Sequence, residues 1–247
     1  MKLWFESWFD SPYYHILYQN RDEKEAKSFI DALYQRFKIQ PQHTILDLAC
    51  GKGRHSLYMG QKNNLTTGVD LSPNSISEAK KMASKLNLND RVKFQVEDMR
   101  NFNLGQHFDF VFNLFTSFGY FEDKTENLDV ISSIARHQNK DDIVLIDYFN
   151  SQLVRKNGEI RETKILSGIE FKIHKTLSSE HIMKHIKFVD KGIEYEFQEK
   201  VQLFNANEIE MMLMTENYNI IGHFGDYQLG KYTEKSPRNI IVGIKKG

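Results

Sequence analysis

Three aspartates give this sequence its chemistry. Asp47 lies in Ile45-Leu46-Asp47-Leu48-Ala49, just ahead of the turn Cys50-Gly51-Lys52-Gly53. Asp70 closes Thr66-Thr67-Gly68-Val69, and Asp98 follows Val92-Lys93-Phe94-Gln95-Val96. Each acid falls at the end of a short apolar run, about one strand–helix unit after the last. In open α/β sheets, ligands bind at the carboxyl ends of strands, where the strand order reverses. A carboxylate there accepts hydrogen bonds from vicinal hydroxyls, and a glycine turn lets the backbone approach a ligand closely. The pattern points to a ribose-bearing cofactor.

The turn narrows the choice. A dinucleotide-binding turn has a third glycine three positions after the second, so that helix and strand pack closely around a pyrophosphate. Here that position is Ser56, after Arg54 and His55, which weakens the pyrophosphate reading without closing it. A nucleoside without phosphate fits better. Asp70 can accept from both ribose hydroxyls. Asp98, or Glu97 beside it, can accept from an adenine amine while the Met99 amide donates to the ring. Gly51 and Gly53 would let backbone touch an amino-acid moiety, and a sulfonium favours nearby carboxylates and carbonyls over phosphate-binding amides. S-adenosylmethionine has all these parts. Two other readings stay open: a nicotinamide-dependent oxidoreductase on the same turn and Asp70, and a non-enzymatic cofactor-binding or interaction protein. Asp47 is expected near the cofactor, its alternative being a cap on the turn's amides.

The elements that must position these groups follow from periodicity. Trp4, Phe5, Trp8 and Phe9 recur at helical spacing, and Ala26, Phe29, Ile30, Leu33 and Phe37 mark a helix over 22–37 that Pro41 ends. Strands are predicted at 43–49, 65–70, 92–96, 108–115 and 143–149, alternating with helices. Ser72-Pro73 is a helix start, and Asp123 with Glu126 a capping box. From Gly158 the period changes to two, with Asp190-Lys191-Gly192 as a hairpin turn. Helical spacing returns at 206–215, and strands follow near Ile220 and Ile240. The expected fold is α/β: a Rossmann-like, seven-stranded, mostly parallel sheet with helices on both faces, plus a small antiparallel β insertion. Its parts are an N-terminal helical cap (1–40), the main domain (41–157 and 204–247) and the insertion (158–203).

Composition bounds the partners. The chain has 247 residues, and its 33 basic and 33 acidic residues cancel, leaving no electrostatic case for a polyanion. One cysteine, Cys50, excludes an internal disulfide and a multi-cysteine metal site, and its place in a tight turn reads as packing. No metal is expected. No apolar run reaches the roughly 20 residues of a membrane span, and the N-terminus lacks the apolar stretch of a signal peptide. A cytoplasmic protein without a membrane partner is the expectation; the oligomeric state is left open.

With these residues in place, the chain resembles the class I S-adenosylmethionine-dependent methyltransferases. The likeness is carried by Asp47-Leu48-Ala49-Cys50-Gly51-Lys52-Gly53, Val69-Asp70-Leu71-Ser72, Glu97-Asp98-Met99-Arg100 and the strand Phe108 to Phe115. The resemblance implies that Asp47, Gly51, Gly53, Asp70, Leu71, Asp98 and Met99 hold the cofactor, and that Asn113 and Leu114 at the fourth strand's end line the methyl-transfer cleft. It implies an aromatic N-terminus (Tyr13, Tyr14, Tyr18, then Arg21) closing over the cofactor's methionine end. Tyr14 and Tyr120 are the candidates for orienting the acceptor. The insertion is similar to that of a small-molecule subgroup including sugar N-methyltransferases. The segment Asn113-Leu114-Phe115-Thr116 lacks the Asn/Asp-Pro-Pro-Tyr signature of enzymes that methylate base amines, so a small molecule rather than a nucleic acid is the expected acceptor.

Overall fold

The structure, a computed structural model, describes residues 4–18 and 23–247. Helices α1 (Trp4–Phe9), α2 (Pro12–Leu17) and α3 (Glu23–Phe37) precede an alternation of strands and helices. That alternation is β1 (Thr44–Leu48), α4 (Arg54–Gln61), β2 (Leu65–Asp70), α5 (Pro73–Lys85), β3 (Val92–Val96), β4 (Phe110–Asn113), α6 (Lys124–Ala135) and β5 (Ile143–Phe149). A short α7 (Ser151–Asn157) leads into β6 (Ile160–Leu166), β7 (Ile169–Leu177), β8 (His181–Asp190) and β9 (Ile193–Gln202). The chain ends with α8 (Ala206–Thr215), β10 (Tyr218–Phe224) and β11 (Arg238–Lys245).

The main sheet has seven strands in the order β10-β11-β5-β4-β1-β2-β3, and β11 runs against both its neighbours while β1 to β5 pair in parallel. The order reverses between β1 and β4, which opens a crevice at their carboxyl ends. Alternation along each strand splits the core into two layers. Leu46, Leu48, Val111, Val144 and Ile146 face α6 and α8; Ile45, Phe110, Phe112 and Leu145 face α3. Both sets are buried, so these strands read as continuous apolar runs.

The expected fold and the strands at 65–70, 92–96 and 143–149 are present. The fourth strand is shorter than 108–115. At its end Phe115 and Thr116 take φ of +58° and +62°, which turns the chain out of the sheet. Helix α7 was not foreseen; Asn150 caps it through Gln152 N and holds the carbonyls of Glu234 and Ser236 with its side-chain amide.

Strands β6 to β9 form a separate antiparallel sheet in sequence order. The expected hairpin turn is present, its loop reduced to Lys191 and Gly192 at φ +52° and +79° because Asp190 pairs with Ile193. One face carries Phe171, Ile173, Ile186 and Phe188, covered by Trp8 and Leu17 of the α1–α2 hairpin. Helix α3 instead packs on the main sheet through Phe29, Ile30 and Leu33. Asp10, between α1 and α2, reaches back to the start of α5, accepting from Ser72 Oγ at 2.6 Å and Asn74 N at 3.2 Å. The hairpin thus bridges the second sheet and the crevice. Among the described residues no helix is long and apolar enough to cross a membrane.

Candidate active site

A cavity of about 830 Å³ opens at the crevice, beneath the α1–α2 hairpin. Its wall includes Asp47, Gly51, Asp70, Leu71, Asp98, Met99 and Leu114, so the ends of β1, β2, β3 and β4 converge there as the acid spacing required. Asp70 Oδ2 accepts from the Gly51 amide at 2.8 Å, and Oδ1 from the Ser72 amide at 2.9 Å. The carboxylate therefore ties the glycine turn to the α5 start while facing the cavity. Burial pushes its pKa up, against the pull of those two amides. A Cβ on Gly51 (φ +56°) would meet nothing within 4 Å; the turn's backbone faces open space.

Asp98 is gripped by Arg100, whose Nε lies 3.0 Å from both carboxylate oxygens and whose other arm reaches Glu126. Burial works against its ionisation, but the Arg100 donors prevail and hold the carboxyl below its ordinary range. Glu97 lines the same cavity. Arg54 lies over the Phe115 ring, 4.7 Å from its centroid, and the buried His55 ring packs on that same phenyl. His55 is buried because α4 presses its first turn onto the β4 exit loop.

Three of the expected site residues have packing or hydrogen-bond partners that define their part. Asp47 lines the cavity, but one of its oxygens is occupied by the first turn of α4, accepting from Ser56 N at 3.1 Å and Ser56 Oγ at 2.5 Å. Gly53 is not on the cavity wall. It sits at φ +78°, and a Cβ there would stand 2.4 Å from the Phe94 ring, so its smallness serves helix–sheet packing. Asn113 is fully buried, donates to the Leu48 carbonyl at 3.1 Å and is not on the cavity wall. Arg21 lies outside the described residues. Cys50 is a buried free thiol, its pKa pushed well up by burial, which agrees with packing.

Two measurable consequences follow. Gly53→Ala is expected to cost about 2–4 kcal/mol, from a strained positive φ plus overpacking against Phe94; a lower urea midpoint at unchanged slope would show it. Asp47 gives a pH effect. Burial pushes its carboxyl from 3.8 up to about 6, against the Ser56 bonds. A group whose pKa is raised on folding favours the native state below its unfolded pKa, and that advantage is lost as pH rises through the folded value. Asp47→Asn keeps an acceptor for Ser56 and removes the titration. Relative to that variant, the parent protein should lose about 3 kcal/mol of stability between about pH 4 and pH 7, read from urea unfolding at each pH.

A second cavity of about 370 Å³ adjoins the first, and Phe9, Tyr14, Tyr18, Phe115 and Tyr120 line both. Tyr14 and Tyr120, singled out from sequence, thus stand where the two spaces meet. Tyr120 donates its hydroxyl to the Thr116 carbonyl and packs edge-on to Trp4 and Phe9. Tyr14 packs against Trp8, Phe9 and Tyr18. Sequence reasoning missed the polar lining. Arg238 of β11 lies 2.8 Å through Nε and 2.7 Å through Nη2 from the buried Asp147 Oδ1. Asp147 also receives the Phe115 amide at 2.8 Å, and Arg238 reaches Thr116 Oγ1 at 2.9 Å. The second sheet contributes Lys175, Lys184 and Glu199.

A family model described as a methyltransferase domain matches residues 39–219. The chain belongs to that family. The methyltransferase is 28% identical over 157 residues to a dTDP-3-amino-3,4,6-trideoxy-alpha-D-glucopyranose N,N-dimethyltransferase of Streptomyces venezuelae, covering 59% of this chain and 64% of the relative. It is 25% identical over 136 residues to a dTDP-3-amino-3,6-dideoxy-alpha-D-glucopyranose N,N-dimethyltransferase of Streptomyces fradiae, covering 54% and 51%. The matches thus span less than two thirds of these curated relatives. In fold it is similar to an S-adenosylmethionine-dependent methyltransferase from Clostridium acetobutylicum, at TM-score 0.81 and 20% identity, over 95% of this chain and 96% of that one. Family membership supports the methyltransferase reading and not the oxidoreductase one.

Proposed function

We propose that this methyltransferase moves a methyl group from S-adenosylmethionine to a nitrogen or oxygen of a small-molecule acceptor. The observation that carries the reading is Asp70: a carboxylate at the end of β2, on the wall of the larger cavity, beside a glycine turn whose backbone faces open space. Asp70 receives the ribose hydroxyls, Asp98 or Glu97 the adenine amine, and Met99 and Leu71 pack on the base. Asp47 and Gly53 act one step back, by fixing the start of α4. Bound there, the cofactor supplies an activated methyl group on a sulfonium.

The adjoining cavity is the acceptor's, and Tyr14 and Tyr120 lie at the junction where methyl and nucleophile meet. With the leaving group already activated, the protein's work is alignment and exclusion of water. The α1–α2 hairpin does both, since it roofs the first cavity and walls the second. The amino-sugar names of the two curated relatives favour nitrogen as the acceptor atom. The test is calorimetry with S-adenosylhomocysteine, followed by transfer of a radiolabelled methyl group into the low-mass fraction of a cell extract. Absence of binding by the unmodified protein overturns the reading, and label entering only macromolecules overturns the acceptor class.

A further inference from the structure

The antiparallel sheet breaks its own pattern on the face turned toward the acceptor cavity. Along β7 the residues of that parity are Phe171, Ile173, Lys175 and Leu177; along β8, Ile182, Lys184, Ile186 and Phe188; along β9, Tyr195, Phe197, Glu199 and Val201. The strand register sets Lys175 opposite Lys184, and Lys184 opposite Glu199. One row of charge thus crosses β7 to β9 on this face, and Glu162 and Lys164 of β6, opposite Ile173 and Phe171, join it at the edge. It is not a solvated row: the Lys184 and Glu199 side chains are 12% and 13% exposed. Burying charge among apolar neighbours is costly unless it is paired. Lys184 Nζ lies 3.5 Å from Glu199 Oε2 and donates to the Tyr18 hydroxyl. Glu199 receives Tyr18 at 2.6 Å and the Trp8 indole N–H at 2.8 Å. Two elements, the α1–α2 hairpin and the second sheet, are therefore locked together at a polar cluster that lines the acceptor cavity.

We propose that Lys184 is the group that takes up the proton released by the acceptor, with Glu199 and Tyr18 as positioning residues that hold its amine toward the cavity. The proposal rests on the methyltransferase reading and extends it to acceptors whose nucleophile carries a proton, an amine or a hydroxyl. The acceptor's lone pair forms the new bond to the methyl carbon. The carbon–sulfur bond breaks with its electron pair left on sulfur, and the acceptor's proton passes to the neutral Lys184 amine. The resulting ammonium faces Glu199.

The surroundings suit this task. Burial pushes the Lys184 pKa down; Glu199 opposes it, and Lys175 and Lys164 add to it. Glu162 of β6 pairs with Lys175, Tyr18 faces the amine from just past the end of α2, and Arg238 and Glu25 line the same cavity from β11 and α3. A lysine whose ammonium is disfavoured by burial gives up its proton at lower pH than an exposed one, which suits a proton acceptor.

The test compares Lys184→Met, Lys184→Gln and Glu199→Gln with the unmodified protein, using labelled methyl transfer into the low-mass extract. Both Lys184 variants should lose transfer by about 100-fold or more, with S-adenosylhomocysteine affinity unchanged. In the unmodified protein, transfer should rise with pH to a plateau. Glu199→Gln removes the acid that favours the ammonium, so its rise should move to lower pH. A readout apart from turnover is the NMR titration of ¹³C-labelled lysines, assigned by the Lys184→Gln variant. Lys184 should lose its proton at lower pH than the exposed lysines, and lower still in Glu199→Gln. Full transfer in both Lys184 variants, or a Lys184 that titrates with the surface lysines, overturns the proposal. Failure of the unmodified protein to bind S-adenosylhomocysteine strikes the function reading instead.

Discussion

Replacing Asp70 by alanine is expected to abolish S-adenosylhomocysteine binding on the calorimeter. A hydrogen bond to a charged group contributes about 1.5–3 kcal/mol. Two ribose hydroxyls on one carboxylate then give about 3–6 kcal/mol, a loss of about 100-fold to more than 10,000-fold in affinity. The loss is compounded because the same carboxylate holds the Gly51 and Ser72 amides, so alanine frees the turn as well. Asp70→Asn separates the two effects. An amide can accept from one partner but turns its N–H₂ toward the other, and its binding should fall between parent and alanine variant. Burial already disfavours the Asp70 anion, whereas ribose donors favour it, so ligand binding and ionisation reinforce one another. Affinity should therefore weaken as pH falls through the range where Asp70 takes up a proton. Unaltered affinity in Asp70→Ala would remove the acid from the site.

Local rules explain why this part of the site was legible in the sequence. Asp70, Ser72 and Pro73 are neighbours, and strand end, cap and helix start are encoded within four positions. The parallel strands betray themselves as continuous apolar runs because both faces are covered. Gly53 shows where such reading slips. Its positive φ and its packing against Phe94 both demand glycine, and a sequence does not say which partner a missing Cβ makes room for. Asn113 slipped for a like reason: a strand end offers two faces, and here the side chain turns to the Leu48 carbonyl. The acceptor side was harder. Lys184 and Glu199 stand at apolar parity, two residues from Ile182 and Ile186, and from Phe197 and Val201. That was a visible irregularity, but a half-wet strand tolerates it. Only the register, which sets Lys184 opposite Glu199, turns two stray charges into one buried cluster.

Arg238→Met is expected to cost about 3–5 kcal/mol of stability, the usual effect of stripping one partner from a buried ion pair. Asp147 has no exposed surface, and burial pushes its carboxyl up even with Arg238 in place. Without the guanidinium, the carboxylate at neutral pH keeps only uncharged donors, the Phe115 amide and the Tyr227 hydroxyl, to offset its desolvation. The deficit should shrink toward acid pH, where Asp147 becomes neutral, and Asp147→Asn in the same background should restore part of it. Parent, both single variants and the double variant form a cycle whose coupling measures the pair itself. The consequence reaches the active site through geometry. Asp147 accepts the Phe115 amide through its side chain and the Thr116 amide through its carbonyl, and Arg238 holds the Thr116 hydroxyl. Both loop residues sit at positive φ without being glycine, a conformation that persists only when its surroundings enforce it. Phe115 lines both cavities. Releasing it should depress methyl transfer more than cofactor binding, because cofactor contacts reside on β1 to β3 while alignment with the acceptor depends on this loop. Equal losses in the two measurements would instead assign the pair a purely structural part.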